Sequence, residues 1–572
     1  MNVLGFAFWD GAHNGAAALV CDGQLVAAAE EERFSRQKHD GDIPLRAIEY
    51  CLRQGGLEMS RIDAIAFPHR PYRSGPDSQI AEMDWYEARA LYRRRELRTR
   101  ALLHKAAIDV AVRAHVAPNV GLETVIAQGL DRVRRHFGSL PPVKYYGHHE
   151  AHAAAAFLTT GFERAAVLTM DGRGGPHATV AWEGRGHSVK SLATEPYTNS
   201  LGYYYFDITR YIGLGEFGEG KTMGLASYGD PSRFAGEFGE LLDSTAGRWY
   251  EYKRKPGPDL FGFGPRRDQP ITGAPYPEFA AAAQAALEHA VQRTVRWLLK
   301  GRSEPLCLSG GVALNCSSNG KLRALFPDVP ISVFPAAGDA GLGIGAALLL
   351  AAEHGEYRRT AIDHAYWGPE FTPAECEAAL RAAKGIRFTR PTDVIEDVAE
   401  RLASGDIVGW FQGRMEIGPR ALGNRSILAD PRTVVMRDRV NRVKSRELWR
   451  PLAPAVLAER ASEFFDMKGE SPFMLFAVPV RKEKAAVIPA VVHVDGSARP
   501  QTVTAAQNPR MHALISAFAR RTGVPIVMNT SFNGAGEPVV CAPADAIKTF
   551  LASGMNVLAL GDYVVTRADS PA

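Results

Sequence analysis

Short apolar runs separated by turns that contain glycine or aspartate open the chain. The runs VLGFA (3–7), GAAALVC (15–21) and LVAAAEEE (25–32) predict three strands joined by tight turns. The same order recurs in AAVLTM (165–170), ATVAW (178–182) and SVKSLATE (188–195), and helix-rich sequence follows each copy. Two copies of one unit predict a duplicated α/β domain with a cleft between its halves. The first turn of each copy should face that cleft.

The longest helical signal is an apolar period of 3.6 residues over Pro277–Gly301, which predicts a packing helix. Around Tyr366–Thr372 a new block of predicted elements begins, in which strands alternate with helices to the end of the chain. We therefore expect two domains, 1–360 and 361–572, with a boundary near residue 360. The segment VLALGDYVVTR (557–567) closes the second block, although the extreme C-terminus could also pack back on the first domain.

Composition narrows the class of protein. The 572 residues are 46% hydrophobic and 23% charged, which is typical of a soluble globular protein. The net charge of +4 is small for this length and argues against nucleic acid as a partner. None of the six cysteines belongs to a C-x-x-C pair, which argues against structural zinc and favours a reducing cytoplasm. We expect neither a signal peptide nor a membrane span, so no membrane partner is predicted.

Two histidines and two aspartates form a candidate metal site. His148 and His152 stand four residues apart in an alanine-rich predicted helix, so both side chains project from one face. Asp171 follows the strand AAVLTM and Asp339 lies in the turn AAGDAG, and both positions face the cleft if the domain is duplicated. This mixed nitrogen and oxygen set suits Fe(II), Mn or Zn. Packing or capping is the alternative role for helical histidines, and His149, about 100° away, is expected to be structural.

Glycine-rich segments suggest where a nucleotide binds. The matches to dinucleotide and P-loop motifs in 213–222 are expected to be accidental, because no buried strand precedes them and glutamates lie inside the loop. A better candidate is SGGVALNCSSNGKL, in which the strand PLCL leads into Gly310 and Gly311 and a helix follows. Glycines at a helix N-terminus present free N–H groups to a phosphate or a nucleoside. Asn315 and Asn319, four residues apart, are expected to contact ribose or base.

The segment QGRMEIGPRALGNRSILADPR (412–432) follows the predicted buried strand DIVGWFQ (406–412). Its glycines permit close approach of an anion, and its guanidinium groups suit bidentate binding of phosphate or carboxylate. A solvated basic loop is the alternative. Further polar and cationic residues downstream would complete an unusually cationic pocket, suited to a ligand with several negative charges. The predicted members of this pocket are Arg420, Arg425, Lys444, Arg446, Arg450, Arg499, Asn529 and Ser531.

The arginine motif resembles the signature of the O-carbamoyltransferases that modify nodulation factors and antibiotics such as nebramycin and cephamycin. The resemblance recurs along nearly the whole chain, in motifs such as EEERFSRQKHD (30–40), GHHEAHAAAAF (147–157), PAAGDAG (335–341), LWRPLAPAVL (448–457) and GVPIVMNTSFN (523–533). It implies an α/β protein with an N-terminal duplicated, actin/sugar-kinase-like (Kae1-like) domain and a C-terminal YrdC-like domain. It also implies iron as the metal.

The resemblance implies roles for individual residues. His13, in the first turn of the first copy, corresponds to a histidine thought to deprotonate the acceptor hydroxyl, while its alternative role is to satisfy backbone groups of the turn. Lys221 would line the cleft. Lys444 and Arg450, expected to be catalytic, and Arg499 and Ser531 occupy substrate-binding positions. One departure is Ala535, where the family commonly has a basic residue before Gly-Glu-Pro, so one phosphate contact could be absent or supplied elsewhere.

The sequence therefore predicts a two-site enzyme. Its C-terminal domain would use carbamoyl phosphate and ATP with Mg²⁺ to make carbamoyl adenylate, and its N-terminal domain would transfer the carbamoyl group to a hydroxyl of a small molecule. The alternatives are a tRNA threonylcarbamoylation-type enzyme, a kinase of the same fold and a non-catalytic ligand-binding regulator. The acceptor is open, and regions 71–121 and 249–275 are expected to shape its choice. The oligomeric state is also open, with a homodimer compatible with the sequence.

Overall fold

The computed structural model of the chain describes residues 1–8, 14–70, 122–266 and 270–568. The predicted base His13 and the region 71–121 lie outside the described residues. The α-helices are α1 (Glu32–Ser35), α2 (Leu45–Gln54), α3 (Leu122–Phe137), α4 (His148–Leu158), α5 (Leu201–Tyr211), α6 (Glu219–Ala226), α7 (Ala235–Leu241), α8 (Pro258–Phe261), α9 (Tyr276–Leu299), α10 (Cys316–Leu325), α11 (Leu342–Glu353), α12 (Pro373–Ala382), α13 (Val394–Ala403), α14 (Val434–Val443), α15 (Lys482–Ala485), α16 (Pro509–Thr522) and α17 (Pro543–Ala552).

The strands of the described residues are β1 (Asn2–Ala7), β2 (Ala16–Cys21), β3 (Gln24–Glu30), β4 (Ala64–Phe67), β5 (Val143–Tyr145), β6 (Arg164–Gly174), β7 (His177–Arg185), β8 (Ser188–Pro196), β9 (Leu242–Asp243), β10 (Glu251–Tyr252), β11 (Leu306–Ser309), β12 (Ile331–Val333), β13 (Ile386–Thr389), β14 (Val408–Phe411), β15 (Arg425–Ala429), β16 (Ala453–Leu457), β17 (Val478–Pro479), β18 (Ser497–Ala498), β19 (Gln501–Val503), β20 (Ile526–Ser531), β21 (Val557–Leu560) and β22 (Tyr563–Arg567).

The first sheet has the strand order β3-β2-β1-β4-β5. The first three strands pair antiparallel, with the predicted turn at Asp22 and Gly23 between β2 and β3, and β4 and β5 then continue the sheet parallel to β1. Strands β1 and β2 are almost entirely buried, which is why their residues are apolar with no alternation. The loops after β1, β4 and β5 consequently leave the sheet at one edge.

The second sheet repeats this arrangement, with the order β8-β7-β6-β11-β12. Strands β6, β7 and β8 pair antiparallel, and β11 and β12 continue parallel to β6. The two sheets therefore share one topology, which confirms the predicted duplicated α/β domain. Helices α4 and α11 follow the last strand of the first and second sheet, respectively.

Helices α4 and α11 pack against each other at close range. Both are rich in alanine and almost entirely buried. A β-carbon on Gly345 would overlap the carbonyl oxygen of Ala151, and a β-carbon on Gly5 would overlap the carbonyl oxygen of Gly343. Small residues thus allow the two helices and β1 to approach closely. This contact fixes the metal-site helix α4 relative to the second half of the domain.

The predicted helix over 277–301 is confirmed as α9, which ends where Lys300 adopts a left-handed conformation. The part of the chain between β8 and β11 is mostly helical. Its core is a cluster of aromatic rings in which Phe279 of α9 contacts Phe238 and Phe261 at centroid distances of 4.9 and 4.7 Å. This packing positions α5 and α6 beside the second sheet.

The third sheet has eight strands in the order β13-β22-β21-β14-β15-β20-β16-β19. It is mixed, since β14 pairs antiparallel with β15 and parallel with β21. The predicted strand 406–412 is β14, with Trp410 fully buried. The closing segment 557–567 forms β21 and β22 in this sheet, between β13 and β14. This second α/β unit presents the arginine motif in the connection from β14 to β15.

Candidate active site

The structure brings the four predicted metal ligands together. One ligand atom from each of His148, His152, Asp171 and Asp339 lies within 4.8 Å of the others. His152 Nε2 is 3.0 Å from Asp171 Oδ2 and 3.5 Å from Asp339 Oδ1, and His148 Nε2 is 3.5 and 3.7 Å from the same two atoms. The cluster lies between the two halves of the duplicated domain.

Each ligand is held by its own element. The histidines share one face of α4, whose first turn is fixed because the Glu150 carboxylate accepts from the N–H of Gly147 over 3.0 Å. Asp171 lies near the end of β6, and its carbonyl oxygen accepts from Ser200 Oγ over 2.9 Å. Asp339 opens a single 3-10 turn before α11. Close packing is required here, because a β-carbon on Gly174 would overlap the His148 ring.

The residues around the cluster orient the imidazoles. The second nitrogen of His152, Nδ1, lies 3.2 Å from Ser309 Oγ. His149 turns away, with Nδ1 2.9 Å from Thr169 Oγ1 and Nε2 3.1 Å from the carbonyl oxygen of His177. His149 is thus occupied by protein contacts, in agreement with the predicted structural role. A ligand imidazole whose other nitrogen is hydrogen-bonded is the usual arrangement at metal sites.

Electrostatics make the cluster suitable for a cation. Burial opposes charge on His152, but Asp171 and Asp339 outweigh it and raise its pKa to about 9. Burial also opposes charge on Asp171, yet both histidines hold the pKa of this carboxyl well below its usual value. Two half-buried carboxylates within 4.8 Å of each other are stabilised by a positive charge. Ligands about 2.1 Å from an ion lie roughly 3.0–3.4 Å apart, so the observed spacing fits a divalent metal.

The glycine loop after β11 touches the metal cluster. Gly310 has φ +90°, and a β-carbon there would overlap the backbone of Met170; a β-carbon on Gly311 would lie 3.1 Å from Asp171 Oδ1. The two glycines therefore form the wall of the cleft beside Asp171, at the position predicted for a phosphate or nucleoside.

Asn315 and Asn319 both have hydrogen-bond partners within the protein. Asn315 caps α10 by accepting from the N–H of Ser318 over 3.0 Å, and it exchanges hydrogen bonds with Gln284. Asn319 donates to the carbonyl oxygens of Ala313 and Leu475 over 2.8 and 3.0 Å. Both side chains are buried and have structural roles, and their predicted contacts with ribose or base stay a prediction. Local sequence could not separate a helix cap from a ligand contact.

The two nucleotide motif matches in 213–222 are accidental, as predicted. Helix α5 precedes this loop, whereas a P-loop follows a buried strand. Lys221 instead lies in the first turn of α6, with its Nζ 3.3 Å from Glu447 Oε1 in the C-terminal half. The predicted cleft-lining lysine therefore reaches the second cationic site described next.

The arginine motif does not present all its guanidinium groups to one pocket. Arg425 is fully buried in β15, stacks on the Phe411 ring at 3.7 Å and donates to the carbonyl oxygens of residues 369, 412, 413 and 424. Carbonyl oxygens thus hold its Nη1 and Nη2 groups, while its Nε has no partner among the described residues, so Arg425 has a structural role and its predicted anion contact stays a prediction. Arg432 pairs with Asp430, and Arg414 donates to the carbonyl oxygens of Val26 and Trp367.

Arg420 is the member of this motif that joins a cluster of cations. Burial lowers its pKa, and so do Arg499 and Arg450. Burial and the cations Arg450 and Arg499 likewise lower the pKa of Arg446. Glu447 is a nearby counter-ion, with Oε2 3.8 Å from Arg450. The cations of this cluster thus repel one another, and an anionic ligand would reduce that repulsion.

Lys444 lies at the buried side of this cluster. Its Nζ donates to the carbonyl oxygen and hydroxyl of Ser531 and, over 3.2 and 2.8 Å, to the carbonyl and amide oxygens of Asn533. Burial, followed by Arg446, Arg450 and Lys38, holds the pKa of Lys444 well below its usual value. Asn529 is buried behind it, donating to Gln501, while its Oδ1 has no hydrogen-bond partner among the described residues.

Lys38 is a functional candidate that the sequence analysis missed. Burial lowers its pKa, with Glu32 opposing and Arg450, Arg33 and Lys221 adding to the shift. The lysine belongs to the motif 30–40 of the first half, yet it faces cations of the C-terminal half. The signal in the sequence was that Lys38 lies in the motif 30–40, which resembles the corresponding motif of the family. The complete cationic cluster comprises Lys38, Lys221, Arg420, Lys444, Arg446, Arg450 and Arg499.

The segment around Ala535 is ordered by its own contacts. Asn533 Nδ2 donates to the carbonyl oxygen of Glu537 over 2.7 Å, and the Glu537 carboxylate accepts from the N–H of Gly534 over 3.1 Å. Arg36 from the first half donates to the carbonyl oxygens of Pro538 and Val539. The loop is therefore fixed without a basic side chain at position 535.

The structure thus combines a candidate metal cluster in a duplicated α/β domain with a cationic cluster in a second α/β unit. Among the described residues, none of the helices is long and apolar enough to cross a membrane. The carbamoyltransferase N-terminus model matches residues 3–348, and the carbamoyltransferase C-terminus model matches residues 399–567. The chain belongs to the carbamoyltransferase family and is a carbamoyltransferase enzyme.

Relatives along the chain agree with this membership. Nodulation protein NolNO of Sinorhizobium fredii is 41% identical over 97% of this chain and 79% of its own length. Nodulation protein NolO of Bradyrhizobium diazoefficiens is 43% identical over 73% of this chain and 78% of its own. The 3'-hydroxymethylcephem-O-carbamoyltransferase of Amycolatopsis lactamdurans is 34% identical over 61% of this chain and 65% of its own length.

Proposed function

We propose that this protein is an ATP-dependent O-carbamoyltransferase that works through carbamoyl adenylate. In the C-terminal site, water releases inorganic phosphate from carbamoyl phosphate, and the resulting carbamate attacks the α-phosphate of ATP with Mg²⁺, releasing pyrophosphate. In the N-terminal site, an acceptor hydroxyl attacks the carbamoyl carbon. The bond from that carbon to the phosphate oxygen breaks, and AMP leaves with the electron pair. The acceptor's proton passes to a base, and the product is an O-carbamate.

The observation that carries this proposal is the cationic cluster. Carbamoyl phosphate and ATP together bring several negative charges, and the cluster offers seven cationic side chains with Glu447 and Glu32 as counter-ions. Positioned cations stabilise the charge that develops during transfer at phosphorus. Lys444 and Arg450 are the proposed catalytic residues here, and Arg420, Arg499, Ser531 and Asn529 are the proposed binding residues.

The N-terminal site is proposed to perform the transfer. A divalent ion, Fe(II) by family resemblance, would be held by His148, His152, Asp171 and Asp339 and would act as a Lewis acid. The N–H groups of Gly310 and Gly311 are proposed to bind the adenylate beside it. His13 is proposed to remove the acceptor's proton. Enclosing the adenylate would protect it from hydrolysis.

The acceptor is proposed to be a hydroxyl of a small natural product. The relatives named above are nodulation proteins and a transferase of 3'-hydroxymethylcephem, and a comparable acceptor for this chain is the simplest extension. Nucleic acid is not a proposed partner, because the net charge is only +4. The cytoplasm is the proposed compartment.

The test is ³¹P NMR on purified protein with ATP, Mg²⁺ and carbamoyl phosphate, without acceptor. Pyrophosphate that forms only when carbamoyl phosphate is present supports adenylation. ADP formation would favour a kinase, and tight nucleotide binding without turnover would favour a regulator. The variant His13→Ala should keep pyrophosphate formation and lose transfer, and loss of both would contradict the proposed division between the two sites.

A further inference from the structure

Arg173 is a cation beside the metal cluster. It is neither one of the four candidate metal ligands nor a member of the cationic cluster. It lies at the end of β6, two residues after Asp171, in the first turn of the second copy of the duplicated unit. The equivalent turn of the first copy contains His13. Arg173 is therefore placed at the edge of the cleft where a bound adenylate would lie.

The backbone around Arg173 is fixed on both sides. A β-carbon on Gly202 would lie 2.5 Å from the Gly172 nitrogen, and a β-carbon on Gly174 would overlap the His148 ring. Ser200 Oγ donates to the Asp171 carbonyl oxygen over 2.9 Å and also accepts from the N–H of Tyr203, which caps α5. The turn is thus clamped between the start of α5 and the metal-site helix α4.

The side chain of Arg173 is held by aromatic groups and not by a carboxylate. Its guanidinium carbon lies 4.9 Å from the centroid of the Tyr197 ring, and its charge opposes the rise that burial causes in the pKa of Tyr203. Its Nε is buried and has no hydrogen-bond partner among the described residues. Within the same residues no carboxylate lies within 4.0 Å of its nitrogens. A positioned guanidinium with spare donors suits a phosphate oxygen.

We propose that Arg173 binds the phosphate group of AMP in the N-terminal site and stabilises the charge that this phosphate gains as the carbamoyl group leaves. This inference rests on the proposed function. Arg173 donates hydrogen bonds to the leaving phosphate, while the acceptor's proton goes to the proposed base. Tyr197 is a positioning residue, since its ring packs against the guanidinium.

The probe for this proposal is AMP itself, titrated into the metal-loaded full chain by calorimetry. A Lys444→Met background weakens binding of AMP at the cationic cluster, so that the titration reports mainly the N-terminal site. Losing one charge-assisted contact should weaken AMP binding roughly 10- to 100-fold in Arg173→Gln. Arg173→Lys should recover part of the loss, because it keeps the charge. The matched control is Arg185→Gln, an exposed arginine of the same hairpin, which should bind AMP unchanged.

A second measurement separates this inference from the proposed function. With otherwise wild-type sequence, Arg173→Gln should form pyrophosphate from ATP and carbamoyl phosphate at the wild-type rate and unfold at the wild-type temperature. If the wild type forms no pyrophosphate, the proposed function fails first. If adenylation is normal and Arg173→Gln binds AMP as tightly as its parent, the inference is overturned, and Arg173 would instead be a candidate contact for an anionic group of the acceptor.

Discussion

Arg33 Nη2 donates to the carbonyl oxygen of Gly418 over 3.0 Å, joining two residues that are 385 positions apart. Glu30 completes the contact, because its Oε1 accepts from the N–H of Gly418 over 3.2 Å and its Oε2 accepts from Arg33 Nε over 2.6 Å. Gly418 has φ +95°, and a β-carbon there would lie 2.7 Å from the Pro335 carbonyl oxygen. Gly418, which stands two residues before Arg420, thus contacts both the first sheet and the loop that leads to Asp339.

Removing Arg33 should destabilise the contact between the two halves of the chain. Arg33→Met leaves Glu30 buried without its charge partner, which costs about 3–5 kcal/mol. Burial already raises the pKa of the Glu30 carboxyl, so water does not stabilise its charge when Arg33 is removed. We expect a lower thermal unfolding midpoint and weaker binding of carbamoyl phosphate. The double variant Glu30→Leu, Arg33→Met should recover part of the midpoint, because only Glu32, which also pairs with Arg33 over 3.0 Å, then lacks its cation. No recovery at all would contradict the ion-pair explanation.

Substitutions of Arg425 and Arg420 should have different effects. The first should lower the stability of the fold, and the second should weaken anion binding. Arg425→Met removes hydrogen bonds to four backbone carbonyls and should lower stability by about 3 kcal/mol. Arg420→Met removes a buried cation from a cationic neighbourhood, so the unfolding temperature should stay equal or rise. It should nevertheless weaken carbamoyl phosphate binding at least roughly tenfold. Thermal unfolding and calorimetric titration check both variants, and a large loss of stability in Arg420→Met would assign it a structural role.

The sequence predicted the metal cluster better than it predicted the anion pocket. His148 and His152 follow from the period of a helix, and Asp171 follows from the duplicated strand pattern, because both are local regularities. Whether Arg425 or Arg420 faces a pocket depends on strands that pair across the third sheet, and local spacing does not carry that information. Phe411, on the neighbouring strand, is what turns Arg425 into a packing residue.

Contacts between the two halves of the chain could also not be predicted from the sequence. The motif 30–40 was recognised as characteristic, yet its partners at 418 and 538–539 are several hundred residues away. Lys38 is polar, and local pattern alone would place it on the surface. Lys38 is indeed exposed, and its place beside the cations of the C-terminal half arises only when that half packs against the motif, which no window of sequence can show.

The metal cluster should bind one divalent ion per chain. Protein loaded with Fe(II), Mn²⁺ or Zn²⁺ should retain about one equivalent by elemental analysis after desalting. His152→Ala or Asp339→Asn should lower metal affinity at least roughly 100-fold, since each removes a direct ligand. His149→Asn is the matched control, because His149 contacts Thr169 and the His177 carbonyl oxygen and not the cluster. Equal metal content in all four proteins would contradict the assignment of ligands.

Lys444 should take up a proton when an anion binds. Burial first, then Arg446 and Arg450, depresses its pKa in the folded protein, whereas the unfolded chain keeps an ordinary lysine value of about 10.4. Between the two values the unfolded state binds more protons, so this group's contribution to stability should rise with pH through that window. A dianionic ligand favours the charged amine and therefore raises the pKa of Lys444 on binding.

The consequence can be measured by titrating carbamoyl phosphate at about pH 8 in two buffers of different ionisation enthalpy, since this pH is more than two units below the ordinary lysine pKa. The wild type should take up as much as about one proton, seen as a difference in binding enthalpy between the buffers. Lys444→Met should bind more weakly and show no such difference. Arg499→Met is a useful comparison, because it weakens the anion site while Lys444 keeps its ability to take up the proton. Buffer-independent binding enthalpy in the wild type would mean that Lys444 is already charged before the anion arrives.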